Sequence, residues 1–365
     1  MQEQPKEACY TGRIIDCTGT GRARGLAHGE GARELVRAAV ACWAEVILED
    51  QPEGATIEHY AISFLAKTGL MSMAEQLFPD LMAEIGGIAD GAGLPYETLA
   101  AYNLMDEQWW YDLPVQRAVP GCSVLALPSG DGMLLAQNMD LPGFMDGSQV
   151  VLRIREPGGA PSLVLSSAGL IGLTGVSHAG FAICVNTLLM LNHDAAGVPV
   201  VFALRSALRQ GSAGAAAVHL QRLRHASGQH YAIADRDGVT SLECSATSVV
   251  TVVQCAAGPM LHTNHPLQCT DIDHSALEIM ERNGDLANSR ERYLALDAAI
   301  GCIDGAEGIA ALLSDTGSPL CFTSGRPGAS HTFGSVLFTL GSKLAARFRL
   351  GHPAAAPWQE VAFTG

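Results

Sequence analysis

One cysteine, Cys122, follows Gly121 directly and begins the apolar run CSVLAL. A second run, GMLLAQNMD, comes after the sequence PSGDG, whose proline, glycines and aspartate predict a turn between two strands. If the turn centres near Asp131, Cys122 and Asp140 lie opposite or nearly opposite each other in the hairpin. The hairpin therefore predicts a carboxylate beside the thiol.

A thiol becomes a good nucleophile only when a base is at hand or its pKa is lowered. One candidate base is the α-amine that would form on Cys122 if the chain were cut after Gly121, because such an amine titrates near pH ~8. Glycine tolerates the strained backbone that attack on the preceding carbonyl requires, although it is equally typical of an ordinary turn. Four histidines distant in sequence could also approach the thiol: His178, His262, His265 and His331.

Several segments together resemble the acyl-CoA:6-aminopenicillanate acyltransferase family of cysteine N-terminal-nucleophile hydrolases. The resemblance runs from residue 25 to about residue 345, with its motifs in matching order. They are GLAHGE at 25–30, LAAYNLMDEQWW at 99–110, GCSVLAL with AQNMD, GLIGLTGVSHAGFAICVNTL at 169–188, and HTNHP at 262–266.

The resemblance implies an α+β fold, an αββα sandwich preceded by a helical N-terminal segment. It implies self-cleavage into residues 1–121, a mainly helical piece packed on the core, and residues 122–365, the catalytic piece, which stay associated. Cys122 would be the nucleophile, its own α-amine the base, and Asp140 the group that orients and stabilises that amine. Neither a cofactor nor a metal is implied.

Two amides match the family's motifs: Asn264 in HTNHP and Asn186 at the end of the glycine-rich segment. The resemblance implies that both donate to the oxyanion of a tetrahedral intermediate, a role that suits an amide because it donates without losing a proton. The family also carries an arginine near the start of a late strand. Here GRPGASHTFGSVLF offers Arg326 or His331 for that place, and the register stays open.

Apolar and aromatic residues near these motifs are the candidate walls of a substrate pocket: Met105, Trp109, Trp110, Phe144 and residues 188–193. Such walls favour a small acyl or aryl group, so we expect a small N-acyl amide as substrate. Each of these residues is equally typical of an ordinary core.

Water is the expected acyl acceptor, which makes the protein an amide hydrolase; transfer to an amine or to CoA is the alternative. A CoA pocket needs cations for its phosphates. The candidate arginines lie on predicted helices, where we expect them to be exposed: Arg205, Arg209, Arg222, Arg224, Arg290 and Arg292.

Composition excludes other classes of partner. With a net charge of −15 and 22 lysines and arginines, the chain lacks the basic surface that nucleic acid or an anionic membrane requires.

The polar start MQEQPKEACY is unlike a secretion signal, so we expect a cytoplasmic protein. The weakly polar stretch 166–191 could be mistaken for a membrane span, but glycines divide it into strand-sized pieces. Most of the ten cysteines are expected to be buried free thiols. A homo-oligomer is compatible with the sequence.

Other interpretations of the sequence are weaker. Cys255, His262, His265 and Cys269 lie within fifteen residues, but their spacing fits no common structural zinc site. The sequence contains neither a G-x-S-x-G elbow nor a P-loop. A further rival is an uncleaved, non-catalytic member of the fold in which Cys122 is a buried thiol.

Local patterns predict helices first and strands later. Apolar spacing and capping residues predict helices over 28–50, 72–86, 96–110 and 212–225, with Ser212 as a cap, and one or two helices over 275–300. Short apolar runs between turn residues predict strands near 123–127, 133–139, 149–155, 162–167, 181–187, 229–234, 239–244, 248–253, 333–340 and 344–350.

Overall fold

The computed structural model of the chain describes residues 13–112, 121–322 and 330–364. The strands are β1 (Ile14–Thr18), β2 (Gly121–Ser129), β3 (Gly132–Pro142), β4 (Gln149–Arg155), β5 (Ser162–Ser167), β6 (Thr174–Ser177), β7 (Phe181–Thr187), β8 (Gln229–Ala234), β9 (Val239–Cys244), β10 (Val249–Ala256), β11 (Met260–His262), β12 (Ser330–Leu340), β13 (Ala345–Arg349) and β14 (Gln359–Glu360). The helices are α1 (Gly21–Gly31), α2 (Arg33–Leu48), α3 (Ile57–Thr68), α4 (Ser72–Leu77), α5 (Pro79–Ala92), α6 (Tyr96–Asn103), α7 (Met105–Asp112), α8 (Val200–Leu208), α9 (Ala213–Arg222), α10 (His274–Asn283), α11 (Asp285–Ala299) and α12 (Gly305–Leu312).

The strands form two sheets that pack face to face. The larger sheet has the order β1-β4-β5-β6-β7-β8-β9-β10, and the smaller has the order β11-β2-β3-β12-β13-β14. One apolar cluster, which includes Val124 and Val151, joins their inner faces. A second packs helices such as α2, α5 and α8 on the outer face of the larger sheet, and a third packs α11 and α12 on the smaller. The predicted α+β, αββα sandwich is therefore confirmed.

The hairpin of β2 and β3 forms as predicted, with a register that differs by one residue from the symmetric arrangement about Asp131. Ser129 pairs with Gly132, so the turn centres between Gly130 and Asp131, and Cys122 lies opposite Met139. Asp140 lies opposite Gly121. Because facing residues share a side of the sheet and neighbours alternate, this register puts the carboxylate and the thiol on opposite faces.

All ten predicted strands are present, and several predicted helices are divided. The helix expected over 72–86 is interrupted before Pro79, which begins α5, since proline suits the first turn of a helix and breaks its interior. The region 275–300 holds two helices separated at Gly284, whose φ is 85°. Ser212 caps α9 as predicted, accepting from the Ala215 N–H. The segments expected over 28–50 and 96–110 are also each two helices, α1 with α2 and α6 with α7.

The GLAHGE motif lies on α1, where it lets α1 approach α5 closely. A Cβ at Gly25 would stand 1.9 Å from the carbonyl oxygen of Glu84, and one at Gly29 would stand 2.4 Å from that of Ile88, so only glycine fits at either place. His28 Nε2 accepts a hydrogen bond from the Gly169 N–H at 3.1 Å. The motif thus joins the early helices to the loop that follows β5.

A buried ion network joins the early helices to the later part of the chain. Glu84 on α5 accepts from Arg24 Nε at 2.8 Å and from Arg205 Nη1 and Nη2 at 2.7 and 3.0 Å. Burial alone would raise the pKa of Glu84, but Arg205 and Arg24 outweigh it and lower that pKa. The expectation that Arg205 is exposed is wrong, because it is 1% exposed and packs its charge against Glu84.

Replacing Glu84 by glutamine is expected to lower the free energy of unfolding by about 3–5 kcal/mol, because two guanidinium groups then remain buried beside a neutral amide. Urea unfolding of purified protein measures this. The matched control is Glu34→Gln, which removes an exposed partner 3.7 Å from Arg37 and should change stability by less than about 0.5 kcal/mol. If both substitutions lowered the free energy of unfolding equally, the buried ion pairs of Glu84 would not be the source of the stability.

The described ranges contain no helix that is both long and apolar enough to cross a membrane. Most of the weakly polar stretch 166–191 folds as short strands with glycine-rich turns, as expected. Six of the eight described cysteines are buried free thiols, and Cys42 and Cys302 are exposed.

Candidate active site

Cys122 stands at the beginning of β2, where the smaller sheet meets the helices. Cys122 is 4% exposed and lines a pocket together with Met105, Trp109, Met139 and Val185. Burial and the nearby Asp140 carboxylate raise the pKa of the Cys122 thiol to about 12. The thiol is therefore protonated at neutral pH and would need a base to become a nucleophile.

Asp140 lies on the other side of the Gly121–Cys122 bond from the thiol. Its Oδ1 accepts from Thr332 Oγ1 at 2.6 Å, while Oδ2 is buried and has no hydrogen-bond partner among the described residues. That free oxygen stands 3.3 Å from where a Cβ of Gly121 would be. Burial raises the pKa of Asp140 to about 6, even though Arg292 opposes the shift. An unpaired buried carboxylate oxygen thus faces the residue before Cys122.

Asn264 and Arg292 hold the backbone of Cys122. The Cys122 N–H donates to Asn264 Oδ1 at 2.7 Å, and Arg292 Nη2 donates to the same oxygen at 2.9 Å. Arg292 Nη1 donates to the Cys122 carbonyl oxygen at 2.6 Å. Asn264 Nδ2 donates to the Thr187 carbonyl at 2.9 Å. In this state Asn264 therefore accepts from the nitrogen that would become the α-amine.

Asn186, at the end of β7, lies on the carbonyl side of Cys122. Its Nδ2 lies 3.3 Å from the Cys122 carbonyl oxygen and 3.0 Å from that of Thr263. Behind it, His230 Nδ1 lies 3.5 Å from Asn186 Oδ1, and the His230 ring stacks on His262 with centroids 3.5 Å apart. These neighbours fix the orientation of the Asn186 amide.

His331 is brought close to Asp140 rather than to the thiol pocket. It precedes Thr332 on β12, pairs with Leu141, and places Nε2 3.3 Å from Asp146 Oδ1. Arg326, the other candidate for the same place, lies outside the described residues.

The predicted pocket residues divide into two groups. Met105 and Trp109 line the pocket that contains Cys122. Trp110 is buried and donates to the Leu191 carbonyl at 3.2 Å, and Phe144 packs against the core. Neither these two nor any residue of 188–193 is among the described residues that line the pocket.

Two of the rival zinc ligands, His262 and His265, have other partners, and the side chain of Cys255 lies outside the described residues. His262 Nε2 lies 2.8 Å from Glu243 Oε1, and His265 Nδ1 lies 2.9 Å from Ser289 Oγ. Over the described part of the chain, no group of three or more His, Cys, Asp or Glu side chains is placed to hold a metal.

Arg292 is the site residue that sequence reasoning missed. The expectation of an exposed Arg292 is wrong, because the residue is 1% exposed. The helical spacing of the sequence indicates that Arg292 is buried, because it shares one stripe of α11 with Leu286, Ser289 and Leu296. A charged residue on an apolar helical stripe indicates a buried partner, which here is the Cys122 carbonyl.

A sequence model of the family described as "Acyl-coenzyme A:6-aminopenicillanic acid acyl-transferase" matches residues 127–355. The chain is also 27% identical over 348 residues to the "Acyl-coenzyme A:6-aminopenicillanic-acid-acyltransferase 40 kDa form" of Emericella nidulans, covering 93% of this chain and 92% of that protein.

Two solved structures are similar at lower identity. Penicillin V acylase from Agrobacterium tumefaciens has a TM-score of 0.41 and 14% identity, covering 63% of this chain and 82% of its own. A variant of conjugated bile acid hydrolase from Clostridium perfringens has a TM-score of 0.43 and 12% identity, covering 67% and 94%.

The family match spans more than half of the chain. It includes the whole of β3, with Asp140, the end of β7, with Asn186, and the loop after β11, with Asn264. This protein is a member of the acyl-coenzyme A:6-aminopenicillanic acid acyl-transferase family.

Proposed function

We propose that this protein cuts itself between Gly121 and Cys122 and then hydrolyses a small N-acyl amide through a thioester on Cys122. One observation supports this most. The thiol lines a pocket on one side of the Gly121–Cys122 bond, while the unpaired oxygen of Asp140 faces Gly121 on the other side. A buried carboxylate oxygen without a hydrogen-bond donor is costly, and an α-amine on Cys122 would supply that donor.

In the first reaction, the Cys122 sulfur adds to the Gly121 carbonyl carbon and loses its proton. The C–N bond breaks, the nitrogen takes up a proton, and Gly121 is left as a thioester on the sulfur. Water then cleaves this thioester and releases the Gly121 carboxylate. Asn264 holds the nitrogen during the exchange, and Asp140 stabilises the ammonium that develops.

In each later turnover, the free α-amine takes the thiol proton and the sulfur attacks the substrate's amide carbonyl. The leaving nitrogen receives that proton and departs as an amine. Water then hydrolyses the thioester. Arg292 fixes the Cys122 carbonyl throughout, and the Asn186 and Asn264 amides are the proposed donors to the oxyanion.

Transfer of the acyl group to an amine or to CoA is the second candidate function, favoured by the acyltransferase to which the chain is 27% identical. Between water and CoA, the pocket favours water as the acceptor. Its described lining includes neither lysine nor arginine, and the phosphates of a CoA thiol need such cations.

A screen of N-acyl amides, scored by mass spectrometry for free acid, tests the proposal. Supplying the best donor with rising amine or CoA then measures how the thioester partitions. We expect free acid to remain the main product. A transfer product that saturates with acceptor, while free acid falls toward zero, would assign acyl transfer instead.

We further propose that the two pieces remain together after the cut. β1 pairs with β4 in parallel register, and Glu84 binds Arg205 across the division. Both contacts join residues 1–121 to residues 122–365. Gel filtration in buffer should therefore show the two pieces eluting together, whereas their separation without denaturant would contradict this association.

A further inference from the structure

The mainly apolar wall of the thiol pocket contains a few polar side chains. The polar side chains of its described lining are Asn103, Asp106, Thr187 and Gln229. Asp106, at the start of α7, is the single charged residue in that described lining. It comes from the LAAYNLMDEQWW motif, and the mechanism proposed above does not use it.

The two oxygens of Asp106 are held by neutral donors. Thr187 Oγ1 donates to Oδ1 at 2.6 Å, and Gln229 Nε2 donates to Oδ2 at 2.5 Å. No lysine, arginine or histidine of the described ranges forms an ion pair with this carboxylate. These neighbours therefore orient the carboxylate without supplying a positive charge.

Gln229 adds a second acceptor at the same place. The residue is 1% exposed, and its Oε1 has no hydrogen-bond partner among the described residues. The amide is held in this orientation because its nitrogen donates both to Asp106 Oδ2 and to Ser227 Oγ, the latter at 3.0 Å. A buried amide oxygen without a donor is as costly as a lost hydrogen bond, so it too indicates a ligand that brings N–H groups.

We propose that Asp106 and Gln229 form a subsite for a protonated amine on the substrate, so that the preferred substrates are amides whose pocket-bound part is an apolar chain ending in an ammonium group. This inference rests on the proposed function and names its substrate class. An ammonium has three donors and no acceptor, which matches a carboxylate and an amide oxygen. The apolar wall, which includes Met105, Leu170 and Leu204, suits the chain that carries the amine.

The surroundings of Asp106 favour a cation as well. Burial raises the pKa of Asp106 to about 7. Burial, with the charge of Asp106, raises the pKa of the adjacent Glu107 to about 8, and Glu107 Oε2 is buried without a partner among the described residues. A bound ammonium would favour the ionised form of Asp106 and so lower its pKa.

The test compares two anilides of equal length, an ω-aminopentanoyl anilide and a hexanoyl anilide, which differ by an ammonium in place of a methyl group. We expect kcat/KM for the amino substrate to exceed that for the alkyl substrate by tenfold or more, which is what hydrogen bonds to a charged group contribute. Asp106→Asn should remove this preference. Glu97→Gln, the same change at an exposed acid of α6, should keep it.

A binding measurement separates this inference from the proposed function. Calorimetry on the uncut Cys122→Ala protein, with n-pentylamine and 1-pentanol as probes, should show binding of the amine alone, lost on adding Asp106→Asn. If no amide is hydrolysed but the amine binds in this way, the hydrolase proposal fails and the subsite stands. If hexanoyl anilide is hydrolysed as well as its amino counterpart, or the amine does not bind, the subsite is refuted whether or not the variant folds.

Discussion

Replacing Cys122 by alanine is expected to leave a single chain of 38.2 kDa and to abolish amide turnover. The wild-type protein should separate into two pieces under denaturing conditions. Both reactions need the sulfur, because it forms the thioester with Gly121 in the first and with the substrate in the second. Intact-mass spectrometry reads the first result, and release of free acid reads the second.

Cys184→Ala is the matched control for this change. Cys184 on β7 is also fully buried, and burial raises the pKa of its thiol to about 12, as for Cys122. Its thiol faces the core between the sheets, so the variant should process normally. Wild-type protein that stays whole and yet turns over amides would refute the N-terminal-nucleophile mechanism. Whole protein without turnover would favour the non-catalytic alternative.

The hairpin that carries Cys122 was predictable because its signals are local. Alternating apolar residues and a turn rich in glycine and aspartate specify two strands and their approximate pairing. The local signals do not determine the exact register. Moving the turn centre by half a residue changes the residue opposite Asp140 from Cys122 to Gly121. That small difference moves the carboxylate from the thiol's face to that of Gly121.

Local sequence patterns do not predict contacts between residues that are far apart in the chain. β1 is a short parallel edge strand whose partner, β4, lies more than a hundred residues away in the chain, so no neighbouring turn indicates it. Arg292 and Arg205 were expected at the surface because charged residues are usually exposed. Each is buried because a distant group compensates it: the Cys122 carbonyl for Arg292 and Glu84 for Arg205.

For Asn264 and Asn186, the sequence predicts that the residues lie at the site but not which amide atom faces Cys122. The motifs that carry them were recognised, and the structure brings both beside Cys122. Which atom each amide presents depends on partners from other elements, such as Arg292 on α11. In the uncut chain Asn264 presents its oxygen to the Cys122 nitrogen, so its role as an oxyanion donor stays a prediction.

Asp140→Asn is expected to slow self-cleavage at pH 7.5 by about a hundredfold or more, the usual cost of removing a preorganised charge-stabilising group. Asparagine keeps the shape and can still accept from Thr332 Oγ1, so the fold should remain. What is lost is the negative charge facing Gly121, which would stabilise the ammonium forming on Cys122. The rate is measured by following the two pieces in protein made by cell-free synthesis and moved to each test pH.

The pH dependence distinguishes this charge effect from a loss of structure. Because the pKa of Asp140 is raised to about 6, its carboxylate is ionised above that pH and neutral below it. The wild-type rate should therefore rise as the pH passes through 6, and Asp140→Asn should lack this inflection. At pH 5, where only about a tenth of Asp140 is ionised, the hundredfold difference between the two rates should shrink to about tenfold. Asp146→Asn, a nearby acid whose pKa is lowered to about 2, should retain the inflection. An Asp140→Asn protein that still showed the rise near pH 6 would assign it to another group and remove Asp140 from the cleavage reaction.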